Sequence, residues 1–389
     1  MRLKLWVAAL AAVAAGCDFD TSLTPQSVLA ACDKALAEKD AKAAANECPF
    51  AEMWLAHVKP DSLQHAQALE KSADLLATVN FRAAGESYQK ALDIRDKLAD
   101  KSKEKLALIV KLANVQSAGG QWQAAETLLK KLVADMESGP DKDGPEFAEA
   151  LNRLGVAQLQ QKMYTNAEQS LYRAEGVLED KSDEEIGGYM GEVYNNLGYL
   201  SDALGKSSEA ENFYRKSITS HEAAKTPHYQ SWYDALSNLA LLLQKQSKWA
   251  EAEAYWKQTL QVAEKGFGQE SLQYATSLNN LGLMALAGRN FPTAQKLFND
   301  VVVIREKKLG LNNLLTAEAM QNLAVAFANQ GKRQEAEVLL RQAAAVSLTL
   351  LGPNNAQTQQ RWNLLASLQG GQPNKAEAGA NKPAAGGKK

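Results

Sequence analysis

Histidine is scarce. The four present, His57, His65, His221 and His228, stand in two scattered pairs. That spacing puts no two of them one turn apart on a helix, as a metalloprotease pair requires, and suggests no zinc module. No glycine-rich phosphate loop follows a strand, and there is no nucleophile elbow. The chain therefore offers no catalytic residue, no cofactor site and no metal site, and is read as a non-enzyme. Charge of either sign is not in excess: 43 Lys and Arg face 45 Asp and Glu, for a net charge of −2, so nothing electrostatic argues for nucleic acid. No run alternates apolar and polar residues in the manner of a strand, which leaves the all-α class. The one markedly apolar N-terminal stretch, Leu5 to Ala15, is too short to remain in a bilayer as a spanning helix. Cysteine is limited to Cys17, Cys32 and Cys48, an odd number that leaves one thiol unpaired in an exported chain.

What the sequence does have is a repeat. Residues 236–253 read LSNLALLLQKQSKWAEAE, 278–295 LNNLGLMALAGRNFPTAQ and 320–337 MQNLAVAFANQGKRQEAE, each 42 residues after the last. With Asn238 as slot zero, the equivalents are Glu70, Lys111, Arg153, Asn196, Asn280 and Asn322. Slot fourteen is alanine in all seven copies: Ala84, Ala125, Ala167, Ala210, Ala252, Ala294 and Ala336. Slot eighteen is large in all seven, from Tyr88 to Leu340, and slot two is small. Slot eleven is often aromatic, as at Phe81, Trp122, Trp249 and Phe291. Small residues let two antiparallel helices approach, and a large residue one turn beyond the alanine fills the space beside it. One such hairpin cannot bury its apolar face alone, whereas stacked neighbours can.

This small–aromatic–alanine–large pattern resembles the tetratricopeptide repeat, in the longer form found in kinesin light chains. The phrases ATSLNNLGLMALAGRNFPTAQKLFNDVVVIREKKLG and EAMQNLAVAFANQGKRQEAEVLLRQAAAVSLTLLG carry the resemblance, with Gly268, Gly310 and Gly352 at the inter-repeat turns. It implies a right-handed α-solenoid of about seven helix pairs over residues 63–350. Residues 351–370 are expected to form a C-terminal capping helix and 23–62 an N-terminal helical hairpin, in which Pro25 starts one helix and Cys48 to Val58 forms the next. The tail, 371–389, is Gly, Pro, Ala and Lys with no large apolar residue, and is expected not to fold.

The resemblance also implies a concave groove for an extended protein or peptide partner, lined by four slots of each first helix. The slot before zero would clamp a peptide backbone through amides at Asn152, Asn195 and Asn279, with Ser237 and Gln321 departing from the pattern. The same amides could instead hydrogen-bond between repeats. Slot minus four is acidic at Glu149, Glu192, Asp234 and Glu318, an arrangement that would select a basic partner segment. Slot plus three places Tyr199, Leu241 and Leu283 on the same face.

The N-terminus reads MRLKLWVAALAAVAAGC. Arg2, Lys4 and the apolar run form a secretory signal over 1–16. Ala14-Ala15-Gly16-Cys17 resembles a bacterial lipobox, which implies a lipid on Cys17, a tether over 17–22 and a membrane-anchored lipoprotein facing the periplasm. Ordinary cleavage near Ala15, an uncleaved anchor, and a soluble scaffold remain as alternatives. If Cys17 carries lipid, Cys32 and Cys48 remain to pair as a disulfide, which an oxidising compartment favours; two buried free thiols are the other reading. The favoured function is an envelope-anchored, non-catalytic adaptor.

Overall fold

The computed structural model describes residues 23–370 apart from 39–40, 78–79, 101 and 140–141, and of residues 41, 42 and 183 the backbone only. The signal, Cys17, the tether and the tail lie outside the described residues. Those described contain seventeen helices and no strand. The contacts divide into two compact units, with the boundary between Ser182 and Asp183.

The first unit opens with α1 (Pro25–Ala37) and α2 (Ala41–Val58). Thr24 and Ser27 form a capping box at the start of α1, each side chain taking the other's backbone N–H, with Pro25 at the first helical position. α2 begins well before Cys48 and runs through Pro49. The alanine-rich stretch preceding Pro49 has high helix propensity, and Ala45, whose carbonyl loses its partner to the proline, is exposed to water. Cys32 and Cys48 are joined by a disulfide that ties α1 to α2.

Three hairpins follow: α3 (Leu63–Leu76) with α4 (Phe81–Lys97), α5 (Lys103–Ala118) with α6 (Trp122–Glu137), and α7 (Pro145–Gln160) with α8 (Tyr164–Leu178). The second unit holds four more. These are α9 (Asp183–Ala203) with α10 (Ser207–Ala223), α11 (Tyr229–Lys245) with α12 (Trp249–Phe267), α13 (Leu272–Ala287) with α14 (Phe291–Leu309), and α15 (Leu314–Asn329) with α16 (Arg333–Leu351). The last helix, α17 (Ala356–Gln369), packs on α16.

The slots explain the packing. All seven slot-fourteen alanines are 0% exposed, and all seven slot-eighteen side chains are at most 2% exposed. Where slot two is glycine, the large residue of the same repeat lies directly over it. A Cβ on Gly155 would sit 2.8 Å from Leu171, one on Gly198 2.7 Å from Tyr214 and one on Gly282 2.6 Å from Phe298. These three hairpins thus close on a backbone-to-side-chain contact that a larger residue at slot two would push apart. At the ends of α12, α14 and α16, Gly268, Gly310 and Gly352 take φ of 86°, 80° and 81°, a left-handed conformation that glycine adopts without strain and that stops each helix. Side chains of Ser271, Asn313 and Asn355 then cap the helices that follow.

Candidate binding face

Packing the second helix of each pair against one side of the first leaves the other side of the first helix to solvent. In the second unit this side repeats from α9 to α11, α13 and α15. Its plus-three slot presents Tyr199, 46% exposed, Leu241, 46%, and Leu283, 38%, with Val325 half-buried in the same position on α15. Between α9 and α11 the face opens into a cavity of about 420 Å³ lined by Tyr199, Leu241 and the largely exposed Trp249. Lys245 and Asp202 pair across it at 3.1 Å. Apolar side chains thus recur at one slot on the four first helices α9, α11, α13 and α15, and exposed apolar surface of this kind is a candidate for interaction.

The minus-one amides are placed differently from the aromatic and aliphatic stripe. Asn152, Asn195 and Asn279 are all buried. Asn195 Oδ1 accepts from Asn238 Nδ2 at 3.1 Å, and Asn279 Oδ1 accepts from Asn322 Nδ2 at 3.0 Å. In both pairs the acceptor belongs to one repeat and the donor to slot zero of the next. Ser237 has no amide to offer, and Gln321 Oε1 accepts from Arg361 Nε of the capping helix at 3.0 Å. Asn195, Asn279 and Gln321 thus join neighbouring elements of the stack, with one lone pair of each oxygen taken, and the two asparagines are buried where Tyr199, Leu241 and Leu283 are exposed.

The minus-four acids are also engaged within the chain. Glu149 lies 3.5 Å from Arg153. Glu192 meets His228 Nδ1 at 2.8 Å, Asp234 accepts from Gln230 Nε2 at 2.9 Å, and Glu318 lies 3.7 Å from the buried Arg305. The expectation of an acidic rim reserved for a basic partner gains nothing from this arrangement, since each carboxylate already has its own donor. Sequence spacing could reveal only two of these partners, Arg153 and Gln230, each four residues from its acid on the same helix; His228 and Arg305 come from elsewhere in the chain.

His221 and His228, the pair flanking the turn before α11, lean on a glycine-bearing face of α9. A Cβ on Gly191 would lie 2.5 Å from His221 Nε2, and one on Gly188 2.8 Å from the His228 ring. His221 Nε2 is 3.2 Å from Ser231 Oγ, and burial pushes its pKa down to about 4. Burial, opposed by the Gln230 hydrogen bond and reinforced by Glu192, pushes Asp234 up to about 6. The two act in opposite directions on stability. Asp234 binds its proton more tightly in the folded chain than in the unfolded, so its ionised form burdens the fold above about pH 6, and the burden vanishes as pH falls toward 4. His221 stays neutral when folded, so its contribution is present above about pH 6.5 and is lost as pH falls toward 4. Asp234→Asn keeps the Gln230 bond and removes the buried charge. It is expected to stabilise the chain by on the order of 2 kcal/mol at pH 8 and by nothing at pH 4, read from urea midpoints at the two pH values. An equal effect at both pH values would show that Asp234 is not the titrating group.

Among the described residues no cluster of three His, Cys, Asp or Glu side chains is placed to hold a metal ion. Nor is any helix there long and apolar enough to cross a membrane.

Four tetratricopeptide repeat profiles match the chain, at residues 110–179, 191–221, 233–307 and 316–357, together more than half of it. The chain belongs to the tetratricopeptide repeat family. The matches fall on the hairpins described above in both units. No curated protein sequence matches significantly. Similar solved structures include BtubC (BKLC) from P. vanneervenii, 18% identical with a TM-score of 0.51, covering 60% of this chain and 91% of that one. The apo form of the quorum sensor NprR from B. thuringiensis is 12% identical with a TM-score of 0.56, covering 85% and 89%. A signal-transduction ATPase from Pyrococcus horikoshii with a tetratricopeptide repeat sensor is 12% identical with a TM-score of 0.60; 87% of this repeat chain spans about half, 51%, of that protein. These likenesses are of fold.

Proposed function

We propose that the chain is a non-catalytic, envelope-anchored tetratricopeptide repeat adaptor that holds an extended protein segment along the first-helix face of its second unit. The carrying observation is the stripe Tyr199–Leu241–Leu283, exposed on the first helices of successive repeats and followed by the half-buried Val325, beside the cavity at Trp249. An extended segment rises about 3.3 Å per residue and packed helices lie about 8–10 Å apart. A partner with an apolar side chain at roughly every third residue would therefore meet one stripe residue per helix. The acids along the same face are satisfied internally, so apolar contact rather than charge would select the partner. Anchoring rests on the lipobox-like Ala14-Ala15-Gly16-Cys17. It draws support from the Cys32–Cys48 disulfide, a bond that persists in oxidising compartments.

Photo-crosslinking in the native cell tests the reading. A probe belongs at Leu241, which is exposed, rather than at the buried Asn279, with Gln258 on the exposed side of α12 as control. A discrete protein adduct from Leu241 and none from Gln258 is the expected result. Adducts from Gln258 alone, or from neither, would move the working surface elsewhere.

A further inference from the structure

Two of the junctions between repeats share a side-chain bridge from slot eight of one repeat to slot fifteen of the repeat before it. Slot fifteen carries Glu126, Glu168, Glu211, Glu253, Gln295 or Glu337 in six repeats. Between the second and third repeats, Gln161 Nε2 donates to Glu126 Oε2 at 2.9 Å and to the Ala157 carbonyl at 3.1 Å. Between the sixth and seventh, Gln330 Nε2 donates to Gln295 Oε1 at 3.0 Å, to the Ala326 carbonyl at 3.1 Å and to the Phe291 carbonyl at 3.3 Å. In both cases a primary carboxamide from slot eight lies among acceptors contributed by two repeats.

Between the first and second repeats both members of the bridge are glycine. Gly85 occupies the slot of Glu126 and Gln295, and Gly119 that of Gln161 and Gln330. A Cβ on Gly85 would meet nothing closer than Val115 Cγ2 at 3.8 Å. Here the surface opens into a cleft of about 670 Å³. Its walls include Phe81, 41% exposed, and Val115, whose backbone carbonyls occupy the slots of the Phe291 and Ala326 carbonyls. Gln116 also lines the cleft, and its carboxamide oxygen is buried with no hydrogen-bond partner. A buried acceptor without a donor is unfavourable by about 1–3 kcal/mol in general, and a ligand that supplies the donor recovers this.

We propose that this cleft binds a primary carboxamide, the side chain of a glutamine or asparagine presented by a partner polypeptide. The acceptor set selects the head group. A carboxylate has no proton to give to Gln116 Oε1 or to the carbonyls of Phe81 and Val115. An ammonium would have to approach Arg82 and Lys90, while the nearby Glu86 is already paired with Arg82 at 3.2 Å. A carboxamide is neutral, donates two hydrogens and offers an oxygen to Gln121 or Lys90. Its methylene stem would lie against Phe81. The cleft is several times the volume of one side chain, so residues flanking the amide enter with it, which points to a polypeptide rather than a free small amide. The chain itself shows the binding mode at its later junctions, where its own glutamines play the part.

The test uses the full chain and three blocked tripeptides, acetyl-Ala-Gln-Ala-N-methylamide and its Glu and Lys counterparts, read by saturation-transfer NMR at pH 7. The Gln peptide is expected to give transfer and the other two at least tenfold less. The double variant Gly85→Glu/Gly119→Gln rebuilds the bridge seen at Glu126 and Gln161. It is expected to abolish transfer while the melting temperature holds or rises. Gln116→Leu, which removes the buried acceptor and preserves the apolar stem, is expected to weaken the Gln peptide at least tenfold. No transfer from the Gln peptide to the wild-type chain, equal transfer from the Glu or Lys peptide, or undiminished binding by a folded double variant would each overturn the proposal.

Discussion

Trp256→Ala is expected to destabilise the second unit by about 3–5 kcal/mol, the largest effect of any single truncation in the chain. Among the described residues Trp256 is the bulkiest fully buried side chain. It stands at slot eighteen of α12 and packs against Ala240 of its own hairpin and Leu281 of the next, with Leu260, Met284 and Leu297 around them. Its indole Nε1 donates to Gln244 Oε1 at 3.2 Å. Truncation therefore opens a hole shared by two repeats, and neither can close over it without parting from a neighbour on its other side. In a stack where each repeat touches only the adjacent ones, the loss is local in space yet breaks the continuity of the array. Hydrogen exchange should accelerate first in α11 to α14, and the urea midpoint should fall with them. Trp256→Phe, which keeps most of the volume, should lose less than half as much. A deficit below about 1 kcal/mol for the alanine variant would mean that the repeats do not interlock through this side chain.

Removal of the Cys32–Cys48 disulfide is expected to lower the stability of the N-terminal hairpin by about 3 kcal/mol, on the chain-entropy account of a loop this short. The two sulfurs are buried, and the sequence separation is 16. The hairpin is small. Its core is Val28, Leu29, Ala51, Trp54 and Leu55, joined by Ala68 from α3. So few apolar side chains offset little of the entropy of two helices, which makes a covalent closure matter more here than it would in a larger core. The double variant Cys32→Ala/Cys48→Ala avoids placing hydroxyls in that core. Its α1 and α2 should lose exchange protection while α5 to α8 keep theirs. Unchanged protection of α1 and α2 would show that packing alone holds the hairpin, and would remove one support for an oxidising compartment.

The hairpin pattern was legible because the contact that defines it is short in sequence. Slot two meets slot eighteen within one repeat, so Gly282 beneath Phe298 and Gly198 beneath Tyr214 leave a visible small–large spacing that recurs down the chain. The helix positions follow from it. α2 starts further upstream than Cys48 because the alanine-rich stretch before it has high helix propensity and one exposed carbonyl, that of Ala45, accommodates Pro49. The candidate site was only partly legible. Slot plus three shows at once that Tyr199, Leu241 and Leu283 share a face. The amides and two of the acids are another matter, because their partners lie elsewhere: Asn238 and Asn322 one repeat on, His228 beyond the whole of α10, Arg305 on the preceding helix. A residue's slot gives its direction, not what waits there. The cleft at Gly85 and Gly119 is subtler, since it is a departure visible only when two slots of adjacent repeats are compared across their junction.

The position of the disulfide-closed hairpin bears on the order in which the molecule is made. Synthesis delivers α1 and α2 before any repeat exists, and Ala68 shows that the first repeat builds directly onto their core. Within each unit, helices meet chiefly the helices next to them in sequence, so each added hairpin finds its packing surface already in place. The first unit can therefore fold in the direction of the chain, with the disulfide-closed hairpin as the surface on which its repeats build.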